Sequence, residues 1–163
     1  EAIRIGDRIA IMEGGRVVQI GTPEELMRNP ADDYVETFFK GVDVSKILKA
    51  GDVACADSGY TIRINGSVQA SSANDSQFGY LLDNSDKLQG VISLKGLDAT
   101  AKSNPESLLA QRMDSHEAIN SSDMLQDVVK TIANADYPIP VVEDNGTFKG
   151  VITKDLLLQT LSR

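Results

Sequence analysis

The feature of this sequence that most limits its possible folds is an internal repeat. In the later copy, apolar runs at residues 139–142 and 148–153 flank the sequence Glu-Asp-Asn-Gly, and a leucine-rich segment continues to residue 158. Residues 80–82, 83–86 and 90–93 align with residues 140–142, 143–146 and 150–153 of that copy. Apolar runs around a turn predict two paired strands, and the leucine-rich segment predicts a helix. The chain is therefore expected to contain one structural unit twice.

Further elements complete each copy. In the first copy we expect a strand at residues 60–64, a weak, serine-rich helix at 67–76, strands at 78–82 and 88–93, and a closing helix at 94–102. In the second copy we expect a short strand at 118–119 and a helix capped by Asp123. That helix is predicted from an apolar stripe of Met124, Leu125, Val128, Val129, Ile132 and Ala133.

A sheet of three short strands with two helices cannot cover both of its faces. Two copies are therefore expected to pack sheet against sheet in an α+β fold, with one shared core. The apolar pairs predicted to fill this interface are Leu81-Leu82, Val91-Ile92, Val141-Val142 and Val151-Ile152.

The first part of the chain has a different pattern. Residues 8–12 and 16–20 predict a hairpin around Gly14-Gly15, and Thr22, Pro23 and Glu25 predict the start of a helix. A second short helix is expected at 32–39, and a helical connector at 41–57.

Composition excludes several classes of function. The 163 residues carry a formal net charge of -8 and contain one cysteine and one histidine. Without a run of basic residues, neither a nucleic-acid partner nor a polybasic membrane anchor is expected. Cys55 and His116 have no metal-ligand spacing, so we expect no metal site. No stretch reaches the roughly 20 apolar residues that span a bilayer. Because residue 1 is Glu, we expect a fragment of a longer protein.

Two motifs resemble known families. The sequence D-R-I-A-I-M-x-x-G-R-V-V-Q-I-G-T-P-E-E-L resembles the end of an ABC-type ATPase domain, and residues 38–43 resemble the joint that follows this domain in glycine betaine/L-proline importers. The β-α-β-β-α repeat with its Gly-Val-Ile-[Ser/Thr] step resembles a pair of cystathionine β-synthase (CBS) domains. The chain thus resembles the C-terminal part of the importer's ATP-binding subunit. The implied domains are an ATPase remnant at 1–40, a connector at 41–57, and CBS repeats at 58–102 and 103–163.

The resemblance implies a regulatory module in an osmoprotectant importer, responding to ionic strength or to a ligand. It implies a homodimer through the CBS pair, permease subunits as partners of the parent ATPase domain, and a cytoplasmic location at the inner face of the cell membrane. The phosphate-binding pattern G-x-x-x-x-G-K-[ST] is absent from the sequence. We therefore expect no catalytic residue in this chain, and we do not assign that role to His116.

The resemblance also implies a ligand site between the repeats. CBS pairs that bind adenine nucleotides place Ser or Thr after the last strand and Asp three residues later. Thr153 matches, but Asp155 is two residues on, a rotation of about 200° instead of about 300°. Ser93 in the first repeat is followed by Gly96 at the acid's position.

Two interpretations of these residues stay open at the level of sequence. Thr153 can act simply as the N-cap of the last helix, with Asp155 near the positive end of the helix dipole. Alternatively, a cleft takes an adenine nucleotide or a cyclic dinucleotide, with Thr153, Asp155, Ile139, Pro140 and Ser93 as its ligand-binding residues. No cofactor is required in either case.

The predicted hairpin carries one more expectation. Without the remaining strands of an ATPase sheet, residues 8–20 would expose strand edges and an apolar face. We therefore expect this segment to be disordered or packed against another chain.

Overall fold

A computed structural model of the chain describes residues 8–40, 42–56, 60–64, 68–70, 76–113 and 116–162. The first part contains β1 (Ile9–Glu13), β2 (Arg16–Gly21), α1 (Pro23–Arg28), α2 (Asp33–Phe39), a 3-10 turn (Val44–Lys46) and α3 (Ala50–Val53). The first repeat contains β3 (Thr61–Ile64), β4 (Val68–Ala70), β5 (Phe78–Leu82), β6 (Leu88–Ser93), α4 (Ala99–Lys102) and α5 (Pro105–Ala110). The second contains β7 (Ile119–Asn120), α6 (Leu125–Asn134), β8 (Ile139–Val142), β9 (Phe148–Ile152) and α7 (Lys154–Leu161).

The predicted hairpin and capped helix are confirmed at the start of the chain. Strands β1 and β2 pair antiparallel. Thr22 Oγ1 accepts from the Glu25 amide at 3.1 Å, and Glu25 Oε2 accepts from the Thr22 amide at 2.9 Å. These two hydrogen bonds form a capping box, which satisfies two backbone groups at the start of α1.

The expectation that the hairpin is disordered is wrong for the described residues, which form a folded unit with the two helices that follow. Helices α1 and α2 cover one of its faces, and Ile11, Leu26, Val35 and Phe39 form a small core there. The two helices bury Ile11 on this face, whereas Met12, Val17 and Ile20 of the hairpin remain 53%, 52% and 54% exposed, so packing against another chain stays a prediction. We call residues 8–40 the hairpin–helix unit.

The internal repeat is confirmed by the sheet topology. Strand β3 pairs parallel with β5, which pairs antiparallel with β6; β7, β8 and β9 follow the same scheme. Both copies interrupt the strand register at aligned positions, Leu81/Leu82 and Val141/Val142. The α+β fold class is likewise confirmed.

The helix predicted at residues 67–76 is wrong where the structure describes this segment. Residues Val68–Ala70 form β4, which pairs antiparallel with β3 and matches Ile64 with Val68. Serine side chains compete with helical hydrogen bonds, whereas the edge of β3 offers this short segment strand partners. The rest of the predicted helix lies outside the described residues.

The start of the second repeat also differs from its prediction. The short strand lies at Ile119–Asn120 instead of 118–119, and Met124 rather than Asp123 is the N-cap of α6. The Asp123 carboxylate instead accepts from the Asn120 amide at 3.0 Å. The Asp123 side chain therefore stabilises the turn after β7 and does not cap α6. The apolar stripe itself is confirmed, with Leu125, Val128 and Ile132 buried.

The connector is less helical than predicted, containing the 3-10 turn and the four-residue α3. Its apolar residues instead belong to the core of the second repeat. Val44, Leu48, Ala50 and Val53 pack there with residues of α6, β8 and α7. The boundaries of the four predicted domains stay a prediction.

The interface between the two sheets is narrower than predicted. Val91 and Val151 pack there with Tyr80, whereas the neighbouring Ile92 and Ile152 face the two helix-covered cores. Leu81 and Val141 also lie on the helix-covered sides. Successive side chains of a strand point to opposite faces, so the pairs Val91-Ile92 and Val151-Ile152 divide between two cores. Aromatic rings complete the interface, and the Tyr80 ring stacks on that of Phe148 with centroids 5.5 Å apart.

The segment before each repeat pairs with the last strand of the other repeat. Cys55 exchanges backbone hydrogen bonds of 3.0 and 3.1 Å with Val151, and the Met113 amide donates to the Val91 carbonyl at 2.9 Å. Gly150 permits the first contact, because a Cβ atom there would lie 2.8 Å from the Cys55 carbonyl group. The connector is therefore an integral part of the second repeat.

The turns of the two hairpins also bind each other. The Leu88 amide donates to the Gly146 carbonyl at 3.1 Å, and the Phe148 amide donates to the Asp86 carbonyl at 2.8 Å. Asp86 and Gly146 occupy aligned positions, and both have positive φ angles, of 59° and 85°. This reciprocal pairing relates the repeats by an approximate two-fold symmetry. In the described part of the chain, no helix is both long and apolar enough to cross a membrane.

Candidate functional site

A cleft opens beside the first turn of α7, where the Gly-Val-Ile-Thr step joins the last strand and helix of the second repeat. Its volume is about 300 Å³, and it is lined by Ala135, Asp136, Tyr137, Pro138, Thr153 and Lys154. These residues come from the end of α6, the segment entering β8, and the junction of β9 with α7. We call this space the α7 cleft.

Thr153 lies at the edge of the α7 cleft and caps the helix. Its Oγ1 accepts a hydrogen bond from the Leu156 amide at 3.0 Å, which confirms the capping interpretation. A hydroxyl that accepts one hydrogen bond can still donate its own proton. Thr153 is therefore able to cap α7 and to donate to an acceptor in the cleft at the same time.

Two charged residues line the α7 cleft, Asp136 and Lys154, and the sequence did not predict either of them at a site. Asp155 is exposed in the first turn of α7 and is not among the lining residues. Lys154 follows Thr153 directly, and its ammonium group offers three donors to an anion. Lys154 is the first residue of α7, where the positive end of the helix dipole also attracts a bound anion. A lysine at this position was the local sign of an anion-binding residue.

The other three predicted ligand-binding residues lie elsewhere. Ile139 is fully buried in the core of the second repeat, and Pro140 is buried opposite Val151. Ser93 ends β6, where its amide donates to the Gln111 carbonyl at 3.1 Å. None of the three lines the α7 cleft. The ligand-binding roles of these residues, of Thr153 and of Asp155 stay predictions.

The region after Ser93 also differs from its counterpart in the second repeat. Gly96 has a φ of 79°, and α4 begins only at Ala99 with Asp98 as its N-cap. The chain therefore turns before the helix starts. Ser93 does not cap a helix as Thr153 does.

Tyr80 connects the α7 cleft with the first repeat, and Tyr137 connects it with the start of the second. The Tyr80 hydroxyl donates to the Pro138 carbonyl at 2.6 Å, and the Tyr137 hydroxyl accepts from the Glu117 amide at 2.7 Å. Burial raises the pKa of Tyr80, so its hydroxyl keeps its proton and remains a donor. A residue of β5 thus fixes the segment that lines the cleft.

His116 lies half-buried just before β7. Burial lowers the pKa of His116, and the positive charge of Arg112 lowers it further. Neutral imidazole is therefore the favoured form in the folded chain. Across the described ranges, no group of three or more His, Cys, Asp or Glu side chains could hold a metal ion.

The repeat topology and the face-to-face sheets are those of a CBS-pair fold. Its fold is similar to the CBS domains of a transcriptional regulator from Streptococcus pneumoniae, with a TM-score of 0.53 at 17% identity, covering 69% of this chain and 98% of that one. It is also similar to the soluble part of a magnesium transporter, with a TM-score of 0.56 at 19% identity, covering 81% and 53%. Residues 113–163 match the family model of the CBS domain. The second repeat is therefore a CBS domain.

The sequence as a whole is related to ATP-binding subunits of glycine betaine transporters. It is 38% identical over 169 aligned positions to the glycine betaine/proline betaine transport system ATP-binding protein ProV of Escherichia coli, covering 100% of this chain and 42% of ProV. It is 34% identical over 168 positions to the glycine betaine transport ATP-binding protein OpuAA of Bacillus subtilis, covering 99% and 39%. The chain thus spans about two fifths of the length of these relatives.

Proposed function

We propose that the chain is the regulatory CBS-pair module of the ATP-binding subunit of an osmoprotectant importer of the glycine betaine/L-proline type. In this function it adjusts ATP-driven transport in response to ionic strength or to a ligand. The observation that carries the proposal is the placement of the connector. Residues of segment 44–56 pack in the core of the second repeat and pair with Val151 in β9, so a change in that repeat acts on the segment next to the hairpin–helix unit.

The proposal assigns partners and a location to the chain. The CBS pair forms a homodimer, the parent ATPase domain binds the permease subunits, and the module lies in the cytoplasm at the inner face of the cell membrane. Hydrolysis of ATP belongs to the parent subunit and not to these 163 residues. These assignments are supported by the whole-chain similarity to ProV and OpuAA.

Charge gives a physical basis for a response to ionic strength. The net charge of -8 resides mainly on exposed carboxylates, and repulsion among such groups favours less compact packing. At cellular salt concentrations, exposed charges are screened over about 8 to 10 Å. Raising the salt concentration therefore weakens the repulsion and favours closer packing.

The α7 cleft supports an alternative function, namely sensing of an adenine nucleotide or a cyclic dinucleotide. Lys154 and the hydroxyl of Thr153 are both suited to a phosphate group and lie at the N-terminus of the same helix, whereas the Asp136 carboxylate in the same cleft opposes an anion. In this function the nucleotide, rather than salt, changes the packing of the repeats.

Titration calorimetry combined with small-angle scattering distinguishes the two functions. A change in shape between 0.05 and 0.5 M KCl (about 14 and 4 Å of screening length), without heat from ATP, ADP, AMP or cyclic di-AMP, supports regulation by ionic strength. A site that Lys154→Met weakens, and that the matched surface variant Lys130→Met leaves unchanged, supports nucleotide sensing. Thr153→Ser retains the cap and should bind like the wild type, whereas Thr153→Ala should bind more weakly. A chain that shows neither response contradicts both functions.

A further inference from the structure

The hairpin–helix unit contacts the second repeat through the end of α1. The Met27 side chain is partly buried and packs against two clusters at once, the small core of the hairpin–helix unit and the core of the second repeat. One side chain thus bridges two bodies whose remaining core residues are separate. A contact of this size links the bodies without merging their cores.

Arg28 adds a directional hydrogen bond beside Met27. Its Nη2 donates to the Asp52 carbonyl in α3 at 2.9 Å, while its Nε lies 3.1 Å from Glu24 Oε1. Carbonyls in the last turn of a helix have no partner within that helix and carry partial negative charge, so a guanidinium is a favourable partner. The side chain of Arg28 remains 57% exposed, which makes the bond accessible to water and salt.

Cavities flank this contact on both sides. One, of about 460 Å³, lies among α1, the connector and α7, and is lined in part by Arg28, Leu48 and Gln159. Another, also of about 460 Å³, lies among α1, α2 and the connector, and is lined in part by Met27, Phe39 and Val44. Protein cores pack without such spaces, so the joint is a thin contact that can open without loss of either core.

Helix α7 connects this joint with the α7 cleft. Thr153 and Lys154 line the cleft, whereas Leu156, Gln159 and Thr160 line the cavity beside α1. The eight residues of the helix span about 12 Å, so a shift of α7 at one end moves the wall of the cavity at the other. Among its described residues, the first repeat contributes none to the lining of either cavity at the joint.

We propose that Met27 and Arg28 form a releasable contact through which the second repeat, and not the first, transmits its state to the hairpin–helix unit. This inference rests on the proposed regulatory function, because it names the route by which regulation leaves the CBS pair. When α7 or the connector shifts, the contact opens and α1 loses its support. The hairpin–helix unit then moves independently of the repeats.

Hydrogen–deuterium exchange of the 163-residue chain tests the contact directly. In Arg28→Met and in Met27→Ala, the amides of Leu26 and Asn29 in and after α1 should exchange about three- to tenfold faster, because local opening becomes easier. The exchange of α6 should stay unchanged. Arg16→Met, at an exposed position in the hairpin, is the matched control and should behave like the wild type. Wild-type exchange of α1 in both joint variants would overturn the proposal.

A pair of cap variants tests the route through the second repeat. Thr153→Ala removes the cap of α7, and Asp98→Ala removes the cap of α4 in the first repeat. Faster exchange of α1 in Thr153→Ala alone supports the proposal, while equal effects of the two variants, or an effect of Asp98→Ala alone, overturn it.

A salt series separates the contact at Met27 and Arg28 from regulation by ionic strength. The wild-type measurement is repeated at 0.05 and 0.5 M KCl, where the screening length is about 14 and 4 Å. If salt leaves α1 unchanged but the joint variants do not, the contact stands and regulation by ionic strength fails.

Discussion

The Tyr80 hydroxyl donates a 2.6 Å hydrogen bond to the carbonyl of Pro138, which joins the first repeat to the segment lining the α7 cleft of the second. The Tyr80 ring is buried at the sheet interface, where it stacks on Phe148. The bond is therefore shielded from water. Loss of the hydroxyl leaves a carbonyl without its partner in this region.

Tyr80→Phe should lower the free energy of unfolding by about 1 to 2 kcal/mol, because the Pro138 carbonyl loses a shielded donor. Urea denaturation measures this change. Tyr34→Phe is the matched control, since the Tyr34 hydroxyl donates a longer bond of 3.3 Å to the Met12 carbonyl at an exposed position. Its effect should stay within about 0.5 kcal/mol. Equal losses in the two variants would remove the special role of Tyr80.

Gly150→Ala should destabilise the chain by more than Gly90→Ala, although the two glycines occupy aligned positions. At Gly150 a Cβ atom meets the Cys55 backbone at 2.8 Å, and the φ angle is 156°. At Gly90 the Cβ atom meets the exposed Arg112 side chain at 2.7 Å, which can move aside. We expect a loss of about 2 to 4 kcal/mol for Gly150→Ala and about 1 kcal/mol or less for Gly90→Ala in chemical denaturation. Similar losses for both would contradict the close approach of the connector to β9.

His116 should make stability depend on pH on the acid side of neutrality. Because burial and Arg112 lower its pKa in the folded chain, the unfolded chain binds the proton first as the pH falls through 6.5. The contribution of His116 is therefore fully present above that pH and is lost as the pH falls towards its lowered folded pKa. Unfolding free energies of the wild type and of His116→Gln, measured from pH 7.5 to about 5, should diverge below 6.5, with the wild type losing more. Parallel curves would show that the imidazole does not change its environment on folding.

Val151→Ala tests the sheet interface. Val151 is fully buried, and truncation should cost about 1 to 3 kcal/mol through lost contacts and a residual cavity. Val142→Ala, on the neighbouring strand at a half-buried position, is the control and should cost less. The ratio of the two losses, obtained by urea denaturation, reports how much more of Val151 than of Val142 is buried. A larger loss for Val142 would contradict the burial of Val151 between the sheets.

The elements that the sequence predicted well are those specified by short-range patterns. The capping box of Thr22 and Glu25 and the stripe of Leu125, Val128 and Ile132 both act within a few residues, and both are present in the structure. The alignment of the two copies also predicted that they share one strand arrangement. Similar apolar patterns around similar turns select the same strand register.

The wrong predictions concern residues whose conformation depends on tertiary contacts. Asp123 has the chemistry of a helix cap, but the Asn120 amide in the adjacent turn takes its carboxylate. Segment 68–70 pairs with the available edge of β3, a partner that the local sequence does not reveal. Apolar pairs such as Val151-Ile152 could not be divided between two cores until the face of each strand was known.

In the candidate site too, the locally determined feature was predictable and the tertiary arrangement was not. Thr153 as a helix cap follows from local sequence, whereas the presence of Lys154 in the α7 cleft depends on how α7 lies against the end of α6. The integration of the connector into the second repeat depends on pairing between Cys55 and Val151, which are distant in sequence. Neither arrangement leaves a periodic signal in the chain.

The regulatory function is tested most directly by ATP hydrolysis of the full-length subunit in its transporter, measured against KCl concentration. The intact subunit is compared with one that ends at residue 40, which retains the hairpin–helix unit but lacks both repeats and the connector that packs in the core of the second. The account predicts that the intact subunit changes its rate with salt or with added nucleotide, while the truncated subunit hydrolyses ATP at a rate independent of both. The same salt and nucleotide response in the two forms would contradict it.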